Sequence, residues 1–129
     1  MAKGLMDFAA EARTKVEEIS TDEVVALTRG GNVLLLDVRE PGEVREGHLS
    51  GAVNVPRGLL EAKADLSYPH REPCLENREQ CLVVYCASGV RSLLAAATLQ
   101  EMGFADVKSM AGGFTAWQTE GKDVTSESW

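Results

Sequence analysis

At 129 residues, 44% of them apolar and 26% charged, the chain has the size and composition of one globular domain with a core of its own. Its 20 acidic and 13 basic residues leave a net charge of −7, which argues against general nucleic-acid binding and against docking on an acidic membrane surface. A small anion held at a local site is not excluded by that charge.

Residues 2–18 predict an amphipathic helix, with Leu5, Phe8, Ala9, Ala12 and Val16 on one face and Lys3, Asp7, Glu11 and Lys15 elsewhere. Its apolar stripe packs on the rest of the domain in the plainer reading; a homodimer contact is the alternative. Asp7 falls where a signal peptide needs an apolar run, and no stretch is long enough to span a bilayer. Ser20 and Glu23 fit a capping box, with Ile19 as its staple or as a short strand. The helix that follows, over 21–29, stops at Gly30 and Gly31. Residues 33–37 form a continuous apolar run, as expected of a strand buried on both faces. Asp37 and Arg39 stand at its carboxyl end. They read as an ion pair fixing the loop of residues 40–47, or alternatively as a buttress for a catalytic loop. His48, in a turn-rich stretch, reads as a turn residue bonded to backbone rather than as a general base. A strand over 52–55 ends at Pro56, and residues 57–63 predict a short helix. Residues 64–80, interrupted by Pro69 and Pro73, read as a long solvated loop that carries Cys74.

The stretch from Leu82 to Gly103 organises the chain. Leu82-Val83-Val84-Tyr85 is a buried-strand pattern, and the run from Leu93 to Leu99 is helical in composition, with Gly103 as its stop. Between them lies Cys86-Ala87-Ser88-Gly89-Val90-Arg91-Ser92. A strand entering a helix through so short a loop aims backbone N–H groups at one point, a ready anion site. The helix dipole and Arg91 both favour the thiolate of Cys86, the reactive form of the side chain. The plainer alternative is a small apolar residue closing a strand. In an α/β fold with parallel strands, Asp37 and Cys86 share the edge where sites gather. The last strand spans 105–110. Gly112 and Gly113 then turn into a helix bearing Phe114 and Trp117, which pack on the sheet; the alternative role of the glycines is a close approach of this turn to the Cys86 loop. Gly121 closes that helix, and residues 122–129 read as a frayed polar tail in which Trp129 has no assigned role. The alternation predicts a three-layer α/β domain with a mostly parallel sheet of about five strands flanked by helices, plus the N-terminal helix.

Cys74, Cys81 and Cys86 include no C-x-x-C pair, and His48 and His70 fit no zinc spacing. Neither a disulfide framework nor a metal site is expected, and the chain reads as built for a reducing compartment, the cytoplasm by default.

Three motifs carry a family resemblance. Cys86-Ala87-Ser88-Gly89-Val90-Arg91-Ser92 resembles the active-site loop of the rhodanese family of sulfurtransferases. Asp37-Val38-Arg39-Glu40-Pro41-Gly42-Glu43, continuing through Gly47-His48-Leu49-Ser50-Gly51-Ala52-Val53-Asn54-Val55-Pro56, is similar to that family's upstream motif. Ala111-Gly112-Gly113-Phe114-Thr115-Ala116-Trp117 is similar to its terminal motif. The resemblance covers residues 19–121 and divides the chain into an N-terminal helix (1–18), a rhodanese-like domain (19–121) and a tail (122–129).

The resemblance implies a reaction. Cys86 takes the outer sulfur of a donor such as thiosulfate, becomes a persulfide, and passes that sulfur to cyanide or a thiol acceptor. The backbone from Ala87 to Ser92 cradles the charge, Arg91 binds the anionic donor, and Ser88 and Ser92 add hydroxyl bonds. Asp37 and Arg39 are the candidate supports behind the loop, and no metal or organic cofactor is implied. The alternatives are a cysteine phosphatase-like enzyme and a non-catalytic sulfur carrier or regulatory module. The phosphatase pattern has five residues between its cysteine and arginine; here four separate Cys86 from Arg91.

Overall fold

In the computed structural model, which describes residues 2–127, five strands form one sheet. They are β1 (Glu17–Ile19), β2 (Val33–Asp37), β3 (Val53–Asn54), β4 (Cys81–Tyr85) and β5 (Asp106–Met110), in spatial order β1-β5-β4-β2-β3. Every neighbouring pair is parallel. The helices are α1 (Leu5–Arg13), α2 (Thr21–Gly30), α3 (Pro41–Glu46), α4 (Leu60–Ala64), α5 (Val90–Glu101) and α6 (Gly113–Thr119).

The period-2 alternation of β4 divides the core. Leu82, Val84 and Cys86 face one way, against Leu93, Ala96 and Leu99 of α5, Ala12 of α1 and Leu60 of α4. Val83 and Tyr85 face the other, against Val24 of α2 and Phe114 and Trp117 of α6. With helices on both faces, β2 and β4 are buried strands, which explains their unbroken apolar runs. The expected three-layer α/β architecture with a five-stranded parallel sheet is the one observed.

The capping box at Ser20 is present: Glu23 N–H donates to Ser20 Oγ at 3.1 Å, and Ser20 N–H donates to Glu23 Oε1 at 3.0 Å. The N-terminal helix is shorter than the amphipathic stripe suggests. Thr14 ends it, its hydroxyl donating to the Glu11 carbonyl at 2.7 Å, and residues 17–19 become the edge strand β1. Val16 is buried as expected, but from a turn rather than a helix. The helix expected over 57–63 opens as a 3₁₀ turn, Arg57–Leu59, before α4.

Two regions are more ordered than the sequence suggests. Within residues 64–80, a 3₁₀ turn at Pro73–Leu75 sinks Leu75 into the core at 1% exposure. Arg78 fastens this segment by donating to the carbonyls of Leu75 and Ala64. The tail is also tied down: Thr125 and His48 exchange backbone hydrogen bonds at 2.8 and 2.9 Å, and Trp117 Nε1 donates to the Asp123 carbonyl at 2.8 Å. Backbone pairing of this kind leaves no side-chain signature, so residues 122–125 read as frayed although Asp123 and Thr125 are bonded to the domain. Trp129 lies outside the described residues. Among the described residues, no helix is long and apolar enough to cross a membrane.

Candidate active site

Cys86 is the residue immediately after β4 and is 1% exposed. The chain turns through Ala87, Ser88 and Gly89 and enters the 12-residue α5 at Val90. Gly89 holds a φ of +103°, a left-handed conformation that disfavours residues with a Cβ. This turn aims two donors at the sulfur: the N–H groups of Gly89 and Ser92 lie 3.1 and 3.3 Å from Cys86 Sγ. Ser92 Oγ is 3.5 Å from the same atom. Cys86 thus sits at the amino end of a three-turn helix, with N–H groups pointing at it, where negative charge is favoured.

The loop is held from behind by α6. The N–H groups of Phe114 and Thr115 donate to the carbonyls of Cys86 and Ala87 at 2.8 and 3.0 Å. Those bonds draw the two backbones so close that a Cβ on Gly113, whose φ is +59°, would lie 2.5 Å from the Cys86 oxygen. The close approach weighed for the Gly-Gly pair is therefore real at Gly113.

Arg91 points out of the loop and forms a two-pronged ion pair with Glu43 of α3, at 2.9 and 3.0 Å. Arg91 hydrogen bonding holds the Glu43 carboxyl at about 2, below its ordinary 4.5. The Glu43 partner raises Arg91 in turn, and the nearby Cys86 charge adds to that. Any stability this pair supplies is present above the ordinary carboxylate range and is lost as pH falls toward 2. Glu43 lies 48 residues from Arg91, and nothing in the sequence signals the pairing.

Asp37 and Arg39 do not enter the loop. Arg39 donates from its backbone N–H and Nε to Asp37 Oδ1, both at 3.0 Å, and from Nη2 to Oδ2 at 2.8 Å. The same Nη2 reaches the Gly47 carbonyl at 2.7 Å. The guanidinium stacks over Phe114 at 4.2 Å. This is the ion pair that fixes residues 40–47, and through Phe114 it also touches the helix that backs the loop. His48 bonds backbone as expected, its Nδ1 lying 3.1 Å from the Val44 carbonyl.

The other thiols have different surroundings. Burial, with Glu72 beside it, pushes the Cys74 thiol up to about 12. Burial and Asp106 push Cys81 upward as well, at the opposite end of β4 from Cys86. All three cysteines are free. Among the described residues, no group of three or more His, Cys, Asp or Glu side chains is placed to hold a metal ion.

The sequence model of the rhodanese-like domain matches residues 20–120. The chain belongs to the rhodanese family. Within it, thiosulfate sulfurtransferase 16 of Arabidopsis thaliana is 34% identical over 113 residues, spanning 81% of this chain and 94% of that protein. The thiosulfate sulfurtransferase GlpE of Shewanella oneidensis is 34% identical over 104 residues, 78% of this chain and 91% of its own. Among solved rhodanese-like structures, a Rhodopseudomonas palustris protein of unknown function described as a possible tyrosine phosphatase superposes with a TM-score of 0.90. It is 34% identical and covers 97% of this chain and 96% of its own. The human single-domain sulfurtransferase TSTD1 superposes at 0.72 with 27% identity, covering 84% and 99%.

Proposed function

We propose that this rhodanese-family chain is a sulfurtransferase that carries sulfane sulfur as a persulfide on Cys86. The observation that carries the reading is the pair of N–H groups, from Gly89 and Ser92, directed at Cys86 Sγ from the amino end of α5. The Cys86 thiolate attacks the outer sulfur of thiosulfate; the sulfur–sulfur bond breaks and sulfite leaves with its electron pair. Cyanide or a thiol then attacks the terminal sulfur of the persulfide, and the thiolate returns. Two half-reactions through one covalent intermediate give ping-pong kinetics. Loop amides stabilise the anion in both states, as an oxyanion hole does.

The names of the sulfurtransferase relatives support this reading. A phosphatase reading draws on the description of the Rhodopseudomonas protein. Against it stands the four-residue spacing from Cys86 to Arg91, one residue fewer than the phosphatase pattern. Thiosulfate treatment followed by intact-mass measurement and peptide mapping tests the proposal: one added sulfur on Cys86, none on Cys74 or Cys81, and negligible aryl phosphate hydrolysis by the same preparation. Cys86-dependent phosphate release without sulfur loading would overturn it.

Arg91 retains N–H groups beyond those given to Glu43 and lies close enough to sense the Cys86 charge. Arg91→Ala is expected to raise the apparent KM for thiosulfate by about tenfold, with a smaller change in kcat. Steady-state kinetics against thiosulfate at fixed cyanide checks this, and an unchanged KM removes Arg91 from donor binding.

A reducing, cytoplasmic setting would keep the three thiols free. Leu5, Met6 and Phe8 on the outer side of α1 are about half exposed and offer a surface for the alternative reading, a homodimer contact. Sedimentation of the wild type and of Phe8→Glu would read it, and a monomeric wild type would dismiss it.

A further inference from the structure

Ser109 is a polar neighbour of the Cys86 loop that the reaction above does not use. It lies on β5 between Val84 of β4 and Glu18 of β1, and is fully buried. Val107, two residues back on the same face of the strand, belongs to the aliphatic layer with Val84, Leu93 and Ala96. A hydroxyl in such a layer needs a hydrogen-bond partner. Its partner is Ser92, with the two Oγ atoms 2.8 Å apart. Ser92 is equally buried, and its Oγ lies 3.2 Å from the Gly89 carbonyl and 3.5 Å from Cys86 Sγ.

Proton counting gives this arrangement a direction. Ser92 Oγ has one hydrogen to donate and two lone pairs to accept with. While Cys86 is a thiol, its S–H donates to Ser92 Oγ, and the Ser92 hydrogen is free for the Gly89 carbonyl. When the sulfur is an anion its proton has gone to solvent, Sγ only accepts, and the stabilising orientation turns the Ser92 hydrogen toward it. Ser92 Oγ has then lost the donor that the thiol supplied. The Ser109 hydroxyl, which already donates to Ser92 Oγ while the Ser92 hydrogen is on the Gly89 carbonyl, is the donor that remains.

We propose that Ser109 is a positioning residue for Cys86: it donates to Ser92 and so holds the Ser92 hydroxyl as a donor to the sulfur anion. This rests on the reading of Cys86 as the nucleophile. The charged groups around the loop are Arg91 of α5 with its partner Glu43 of α3, Glu40 beside them, and Asp37 with Arg39 at the end of β2. The α6 sequence contributes none. Substitution of Ser109 leaves all of these in place.

The test is the rate of Cys86 alkylation by iodoacetamide against pH, followed by peptide mapping. Ser109→Ala is expected to move the midpoint to higher pH, lowering the thiolate fraction on the acid side by about three- to tenfold. Ser109→Thr and Ser109→Val match in volume and differ in the hydroxyl, so their difference reads the hydrogen bond whatever the stability of the alanine variant. In a Ser92→Ala background, Ser109→Ala should have no further effect, because it acts through Ser92. An unmoved midpoint, equal profiles for the threonine and valine variants, or the same shift in both backgrounds overturns the proposal. Alkylation needs no sulfur donor. A protein that shows the shift but cannot load sulfur would therefore sink the sulfurtransferase reading and leave this one standing, and loading without the shift would do the reverse.

Discussion

Cys86→Ser is expected to abolish sulfur transfer, by on the order of ten-thousandfold or more, while the protein stays folded. Serine is nearly isosteric, and its oxygen can accept the Gly89 and Ser92 N–H groups now directed at sulfur. A hydroxyl, however, is not ionised at neutral pH and forms no persulfide. The loop would survive with its anion site intact and its nucleophile gone. Measuring thiosulfate–cyanide turnover alongside thermal unfolding separates loss of chemistry from loss of fold. Appreciable turnover in the folded variant would remove Cys86 from the mechanism.

The largest effect on stability is expected from Asp37→Ala. Asp37 is fully buried and Arg39 is 4% exposed, so removing the carboxylate strands a guanidinium in the interior. Breaking one side of such a pair typically costs about 3–5 kcal/mol, whereas the intact pair contributes little net stability. For a domain of this size that is a fall in Tm of roughly 10–20 °C. The double variant Asp37→Ala with Arg39→Met should regain much of the loss, since the unpaired charge goes with the arginine. Calorimetry of the two variants decides it. An Asp37→Ala protein within about 1 kcal/mol of wild type would mean that Arg39 finds other partners.

How far the sequence could be read depended on which physical rule left a mark in it. The runs Val33 to Leu36 and Leu82 to Tyr85 were legible because strands buried on both faces read as near-continuous apolar runs. Glu17–Ile19 was not: an edge strand with a single buried residue offers no alternation, and the helical stripe runs on into Val16. The Cys86 loop was legible because its donors are backbone groups whose placement follows from a strand, a glycine and a helix in close succession. Its supports were harder to see. Glu43 and Ser109 meet the loop through chain segments distant in sequence, and a serine inside a strand candidate is the only hint the latter leaves. Asp37 and Arg39, two apart in one motif, were open to both readings, and only the packing of Arg39 between Gly47 and Phe114 tells them apart.

The contact between α6 and the Cys86 loop has a consequence for the nascent chain. Synthesis delivers the cysteine about thirty residues before the Phe114 and Thr115 N–H groups that hold its loop, and β1 waits about ninety residues for β5. Contacts so far apart in sequence form late, because the chain must lose its freedom before they can form. Until then the Gly89 and Ser92 N–H groups can reach the sulfur, but the loop that carries them lacks its fastening to α6. On the proposed reading, chains that stall before α6 should therefore load sulfur more slowly than the finished molecule.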